Sequence, residues 1–412
     1  MAALTTAQLK ARMAVMRGAV VDTNHDFTTM TLEAFDVAYP LWSGGSKRYC
    51  LQANGDYIER DTDEAPLTDL GVWCDGAFTN YAVNGTLAGA VAGSPGTMPT
   101  LWTFDSAGGA TLSSVAISTY KGLPLLTVVA AADASERHYL PNQYLSVGGT
   151  QGQVLTFSAF SAAETTAVFV ANHPCINVAV RTGWTGSGNI SITDTIAYHK
   201  TAPYTVPAGQ IGSFYEAAGG YITSAGGGTI TCKAAAPQYC INVGLSPNTI
   251  ALSSASTTAH TADIIQRAVD LRGPFAVEIV ATTAPGDPGV AQQLLCLSKD
   301  ANNRINVSRY TSTNLVRVNS EVAGSAVVTT GTTVGDNTQT VVRMQVEFNG
   351  CRVSVGGNAP ATISKARADT YILNTLGSDY NGTGSFWGSI QSFRILENYI
   401  ATDNELQDGF AI

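Results

Sequence analysis

Apolar and polar residues alternate most cleanly between residues 339 and 355. Val342, Met344, Val346 and Phe348 are interleaved with Arg343, Gln345 and Glu347, and Cys351, Val353 and Val355 with Arg352 and Ser354. A period of two predicts strands with one buried and one wet face, and Asn349-Gly350 between them predicts a two-residue type I′ hairpin. Phe275–Val280 and Leu294–Leu297 add two strands. Phe386-Trp387-Gly388-Ser389-Ile390 followed by Phe393 and Ile395 predicts the last strand, with Phe386 and Trp387 in the core. Thr402 and Glu405 form a capping box for a short helix or turn after it. Residues 249–412 thus read as a two-sheet antiparallel sandwich.

Upstream the strands shorten. In Val154–Phe160 the positions Leu155, Phe157 and Ala159 alternate with Val154, Thr156 and Ser158, and Thr166–Val170, Ile176–Val180 and Ile190–Ile192 continue the pattern. Strands at this spacing with no helical segment between them indicate a jelly roll or similar sandwich over residues 85–248, with Trp102 in its core. Residues 216–248, with Gly226-Gly227-Gly228 and Ala234-Ala235-Ala236-Pro237, look like its exit strands and linker. Residues 21–84 form a polar, turn-rich β segment, in which Asn54-Gly55 between Tyr49–Leu51 and Tyr57-Ile58 marks a hairpin. Residues 1–20 hold the one long helix: a Thr5/Gln8 capping box, a Leu4/Leu9 staple, a Gly18 C-cap, and Leu9, Met13 and Met16 on one face. That face would dock on another protomer, a larger particle or the chain's own body. The fold class expected is all-β: two antiparallel sandwiches after a short helix and β segment.

Composition narrows the function. Charged residues are 13% of the 412, about half the roughly 25% usual in soluble proteins. A net charge of −9 without any Lys/Arg cluster excludes nucleic acid, which needs a concentrated basic face. No run of 18 apolar residues is present, so membrane insertion is not expected, and the first residues lack the pattern of a signal peptide. The seven cysteines are scattered with no Cys-x-x-Cys pair, which fits small buried hydrophobes better than a zinc site. Cys232 and Cys240 would cross-link only if they faced each other on a hairpin.

Catalytic patterns are weak. Glu59, Asp61 and Asp63 would share one face of a strand, but they lie in a polar stretch ending at Pro66 and suit a solvated loop. The five histidines are isolated, and no Gly-x-Ser-x-Gly is present. Sugar binding needs an aromatic face beside fixed polar groups. Trp184, in a glycine-rich loop, meets that requirement best. Arg309, Tyr310 and Asn314 near one strand end, and Asp379, Tyr380 and Asn381 near another, are the further candidates. Each of these also suits a plain edge or turn.

Three resemblances add to this reading. The closing strand from Ser385 to Ile395 resembles that of laminin-G-like (concanavalin A-like lectin) domains. Asp26-Phe27-Thr28-Thr29, then Ala53-Asn54-Gly55-Asp56, then Leu70-Gly71-Val72-Trp73-Cys74-Asp75-Gly76-Ala77-Phe78-Thr79-Asn80 resembles a segment of bacteriophage tail- and head-fibre proteins. It departs from that segment where Cys74-Asp75 replaces an apolar-Glu pair and Phe78 replaces an Arg. Tyr139–Gly149 followed by Leu155–Ser158 resembles jelly-roll carbohydrate-binding modules of phage fibres and glycan-active enzymes. The resemblances imply a non-enzymatic, homo-oligomeric (trimeric) virion fibre or spike protein, assembled in the host cytoplasm. It would contact other virion proteins through its N-terminal region and bind a bacterial surface polysaccharide for adsorption. The alternatives are a structural decoration or adaptor protein and a capsular polysaccharide depolymerase. Glucan-cleaving concanavalin-like enzymes carry a carboxylate trio on a sandwich strand, and no later strand here has one. Laminin-G-like domains often bind calcium, but the nearest oxygen cluster, Asp300, Asn302 and Asn303, reads first as a turn, and no cofactor is expected.

Overall fold

The computed structural model describes residues 20–43, 47–62, 64–106, 111–132, 137–149, 151–165, 175–180, 185–186, 190–208, 212–223, 228–242, 245, 247–252, 258–260, 262–284, 291–310, 313–364, 370–379 and 386–410. The fold is antiparallel β throughout these residues. In the C-terminal sandwich one sheet runs Ala361–Ile363, Gly350–Val355, Gln339–Glu347, Phe275–Thr283, Gly388–Glu397, Gly71–Cys74 and Leu67–Thr68. The facing sheet runs Ile265–Leu271, Tyr371–Leu376, Ala291–Asp300, Asn303–Tyr310, Leu315–Val322 and Ser325–Thr333. The alternating apolar positions meet between them: Val342, Met344 and Val346 pack with Ile279, Phe393, Leu297, Val307 and Val318. Phe386 is wholly buried in this core, and Trp387 is buried beside it. Thr402 and Glu405 form the expected reciprocal cap on the helix Asp403–Asp408.

The hairpin at 350 turns one residue earlier than its Asn-Gly signal. Glu347 pairs with Gly350, which makes Phe348 and Asn349 the loop residues, and neither has a positive φ, so the turn is not type I′. The shifted register still stacks Val346 on Cys351 and Met344 on Val353, so both apolar sets keep the core face, and Phe348 is left 59% exposed in the loop.

The segment before residue 84 is built into this sandwich and does not stand apart from it. Val21–Asp26 pairs with Gly388–Glu397 along six consecutive positions. Gly71–Cys74 continues the same edge of that strand, and Leu67–Thr68 extends it. Phe27, Phe35 and Tyr39, the last two from the Leu32–Ala38 helix and its C-cap, pack as an aromatic cluster into the same core as Leu67 and Val72. These strands are too short for periodicity to reveal their partner, and the partner lies more than 300 residues away in sequence. Asn54-Gly55 does turn a hairpin, between Arg48–Leu51 and Tyr57–Arg60, with Gly55 at φ 86°.

Residues 81–241 form the second sandwich, inserted between the two parts of the first. One of its sheets runs Ala197–Lys200, Val154–Thr165, Gly228–Ile241, Leu123–Ala132 and Thr111–Tyr120, and the other centres on Arg137–Gly149 and Gly212–Thr223. Trp102 lies in its core with Leu155, Phe157 and Tyr239. Asn80 clasps the two ends of the insertion. Its Oδ1 accepts from the Ala82 and Tyr239 amides at 3.0 and 2.9 Å, and its Nδ2 donates to the Pro237 and Ala251 carbonyls at 3.2 and 2.7 Å. Cys232 and Cys240 both lie on Gly228–Ile241, so they do not face each other across a hairpin. Both are buried thiols, as are Cys50, Cys74, Cys296 and Cys351. The helix expected within residues 1–20 and the strand expected at Thr166–Val170 lie outside the described residues.

Candidate functional site

The side of the six-stranded sheet turned away from the core carries mostly polar residues on its central strands. Ile305 and Val307 point into the core, so Arg304, Asn306, Ser308 and Tyr310 point outward. Val316 and Val318 likewise send Arg317, Asn319 and Glu321 to the outer face. The register then sets rows across the strands: Gln293, Ser308 and Arg317 in one, Cys296, Asn306 and Asn319 in the next, Ser298, Arg304 and Glu321 in a third. The middle of this face (Ser298, Asn306, Ser308) is buried, and Gln293, Tyr310, Arg317 and Asn319 are half-buried around it.

Four buried polar atoms on this face have no hydrogen-bond partner among the described residues: Gln293 Oε1, Asn306 Oδ1, Asn319 Oδ1 and Arg317 Nε. Leaving such a group unpaired costs about 1–3 kcal/mol, and all four lie beneath the surface of the face, out of contact with solvent. Three are carbonyl oxygens, which accept hydroxyl hydrogens. The fourth is a donor. Arg304 is not free, since its Nε donates to Glu321 Oε2 at 2.9 Å. The Arg317 Cζ lies 4.0 Å above the centre of the Tyr310 ring, which fixes where the guanidinium sits.

Of the residues proposed from sequence, Arg309, Tyr310, Asn314 and Asp379 fall at one end of this sheet, and the structure gives them different tasks. Arg309 points inward and is wholly buried. Its guanidinium donates to Val334 O at 2.9 Å, Gln292 Oε1 at 3.2 Å, Asn314 Oδ1 at 2.6 Å and Asp336 Oδ1 at 2.5 Å. Asn314, at φ 55°, thus serves to hold Arg309. Tyr310 alone of the three reaches the outer polar face. Asp379 follows the strand Tyr371–Leu376 at the same end, where its carbonyl accepts from Ser378 Oγ at 3.2 Å. Trp184, Tyr380 and Asn381 lie outside the described residues. Sequence reading missed Gln293, Asn306, Arg317 and Asn319, whose signal was polar residues filling the outward positions of two adjacent strands.

Among the described residues one cluster has the composition of a metal site: Asp75, His260 and Asp263, all buried. Arg48 lies among them, with Nη2 to Asp263 Oδ1 at 2.6 Å, Nη1 to Asp263 Oδ2 at 2.7 Å, Nη1 to Asp75 Oδ2 at 3.4 Å and Nη1 to His260 Nε2 at 3.3 Å. The guanidinium supplies the positive charge a cation would bring, so the donor set does not fit an ion in addition. Burial raises the Asp75 pKa. Asp263 is equally buried, but the charge and paired hydrogen bonds of Arg48 hold its carboxyl well below the usual range. Glu59 and Asp61 pair with Lys47 at the surface, solvated as expected, but Glu59 lies on the strand Tyr57–Arg60 and not in a loop, and Asp63 lies outside the described residues. Asp300 accepts from the Asn302 amide at 2.8 Å and from Asn303 Nδ2 at 2.9 Å, which makes that cluster a turn.

No protein-family model matches the chain, and no curated protein matches it in sequence. Among solved structures it is similar to the CBM40 module of a Ruminococcus gnavus IT-sialidase bound to α2,6-sialyllactose, at 14% identity over 33% of this chain and 82% of that one, with a TM-score of 0.28. It is also similar to domain 4 of a Geobacillus stearothermophilus GH43 arabinanase in complex with arabinotriose, at 14% identity over 37% and 77%, with a TM-score of 0.30. Chicken Galectin 2 is similar at 6% identity over 32% and 96%, with a TM-score of 0.25. Each of these likenesses covers about a third of the chain.

Proposed function

We propose that this chain is a non-enzymatic glycan-binding protein of a bacteriophage virion, a fibre or spike subunit that binds a host surface polysaccharide. The observation that carries the glycan reading is the outer face of the six-stranded sheet, where the Tyr310 ring lies beside the half-buried Arg317, Gln293 and Asn319. A sugar would stack on such a ring and hydrogen-bond to the polar groups around it. The phage reading rests on the resemblance of the segment from Asp26 to Asn80, and with it come the virion location and contacts to other virion proteins through the N-terminal region. A homotrimer would offset weak single-site binding by multivalency.

The buried carboxylates Asp75 and Asp263 are tied to Arg48 and closed to a polysaccharide. A glycan array with a multivalent form of the full chain, and a pull-down with host cells, test the reading. Binding lost on combining Tyr310→Ala with Asn319→Ala supports it. A chain that binds neither sugar nor cells at high valency is instead a decoration or adaptor protein. New reducing ends released steadily from host capsule would overturn the non-enzymatic part.

A further inference from the structure

The six-stranded sheet ends on an open edge. Ser325–Thr333 pairs with Leu315–Val322 on one side, and no described strand lies on its other side. The remaining edges of the two sandwiches are short, charged or covered. Leu67–Thr68, Ala361–Ile363, Ala197–Lys200, Thr103–Ser106 and Thr185–Gly186 are short. Val21–Asp26 and Ile265–Leu271 carry charged residues, and Thr111–Tyr120 is bridged at Val115 by Gly93 of the loop before it. Ser325–Thr333 is nine residues long without a charge or a proline. Val327 and Val328, on its opposite faces, are 39% and 53% exposed. A long neutral edge of this kind recruits a further strand.

The turn before the strand fixes which backbone groups this edge offers. Ala323 and Gly324, at φ 51° and 73°, make a two-residue type I′ turn that closes on the pair Val322 and Ser325. That closing pair is hydrogen-bonded, so by alternation Val327 and Thr329 also bond inward, and Ala326, Val328 and Thr330 direct their N–H and C=O groups away from the sheet. These three positions are symmetric about Val328. Two antiparallel copies in that register set Val328 opposite Val328 and Ala326 opposite Thr330, so each of the three exchanges its hydrogen bonds with the other copy. The row across the seam then runs Glu321, Ala326, Thr330, Arg317, with a glutamate of one copy and an arginine of the other flanking uncharged positions. We propose that Ser325–Thr333 pairs with the same strand of a second copy of this chain about a two-fold axis at Val328, which joins two six-stranded sheets into one. The two outer faces then lie side by side. A two-fold contact joins chains in pairs whatever assembly the N-terminal region makes, and it does not depend on what the outer face binds.

The test compares the particle mass of the full chain with that of Val328→Pro, by light scattering after gel filtration at rising chain concentration. Proline at residue 328 removes an N–H that the sheet itself does not use, so the fold should survive, and thermal unfolding checks this. The expected wild-type mass is twice that of the variant. Val328→Lys keeps the N–H but sets a like charge from each copy at the seam, and it should halve the mass as well. Under mild oxidation Val328→Cys should cross-link to itself, because the paired Cα atoms would lie about 5.5 Å apart. Ala326→Cys, about 13 Å from its own counterpart in this register, should not. A wild type no heavier than the two folded Val328 variants overturns the pairing. In a particle of double mass, a Val328→Cys that fails to cross-link, or an Ala326→Cys that does so in its place, overturns the two-fold axis at Val328.

Discussion

At the scale of single residues, buried charges do most to fix the joints of the molecule. Arg48 neutralises Asp263 and reaches Asp75 and His260, with all four side chains out of water. Removing one partner strands the others, so Arg48→Met should cost about 3–5 kcal/mol in chemical unfolding, with much of it recovered when Asp263→Leu is added. His25 has the opposite character. Burial, and then the nearby Arg267 charge, lower its pKa from 6.5 to about 4, and its Nε2 lies 2.6 Å from the Arg267 guanidinium. The native state therefore keeps His25 neutral where the unfolded chain protonates it. Its contribution is intact above pH 6.5 and is lost progressively as pH falls to about 4. Thermal melts across that window should show the decline, and His25→Gln should flatten it. Arg309 shows why side-chain chemistry in a sequence does not identify a site. The strand register alone decides that residue 309 points inward and residue 310 outward.

At the scale of elements, the short strands matter more than their length suggests. Gly71 sits at φ 103°, and a Cβ there would lie 2.3 Å from the Ile390 carbonyl oxygen. Gly71→Ala should therefore detach Leu67–Cys74 from the Gly388–Glu397 strand, seen as faster amide exchange in both segments. Asn80 gives all of its hydrogen-bonding capacity to the clasp, so Asn80→Ala leaves two amides and two carbonyls without their partner. A loss of about 2–4 kcal/mol in unfolding is expected, since each buried group left unsatisfied costs about 1–3 kcal/mol and some will relax. Alternation identified the long strands of the C-terminal sandwich, and the Thr402/Glu405 pattern identified its closing helix, because these signals are local. The turn before Gly350 was misplaced by one residue because both registers keep the apolar sets on one face.

At the scale of the whole molecule, the insertion governs which pieces can fold. A fragment beginning at residue 249 lacks Val21–Asp26, Leu67–Thr68 and Gly71–Cys74, so it exposes one edge of Gly388–Glu397 and loses the Phe27, Phe35 and Tyr39 cluster. Such a fragment should aggregate or unfold without cooperativity, because a bare hydrophobic edge recruits other chains. Joining Asn80 to residue 251 through a short linker should instead give a cooperatively folding sandwich, since Asn80 Nδ2 and the Ala251 carbonyl are only 2.7 Å apart. Size-exclusion chromatography and thermal unfolding of the two pieces separate these outcomes.

The sequence by itself determined the fold class, most of the long strands, the buried aromatics Trp102, Phe386 and Trp387 and the final capping box. Each follows from residues within a few positions of one another. Only the tertiary structure decided that the first strand belongs with the last, that Asn80 closes the insertion, and that Arg48 is the buried counter-charge of Asp263. Those facts depend on contacts across hundreds of residues, where no periodicity carries information. The candidate binding face lies between these cases: its polar residues alternate visibly along two strands, but only the cross-strand register brings Gln293, Asn306, Arg317 and Asn319 together.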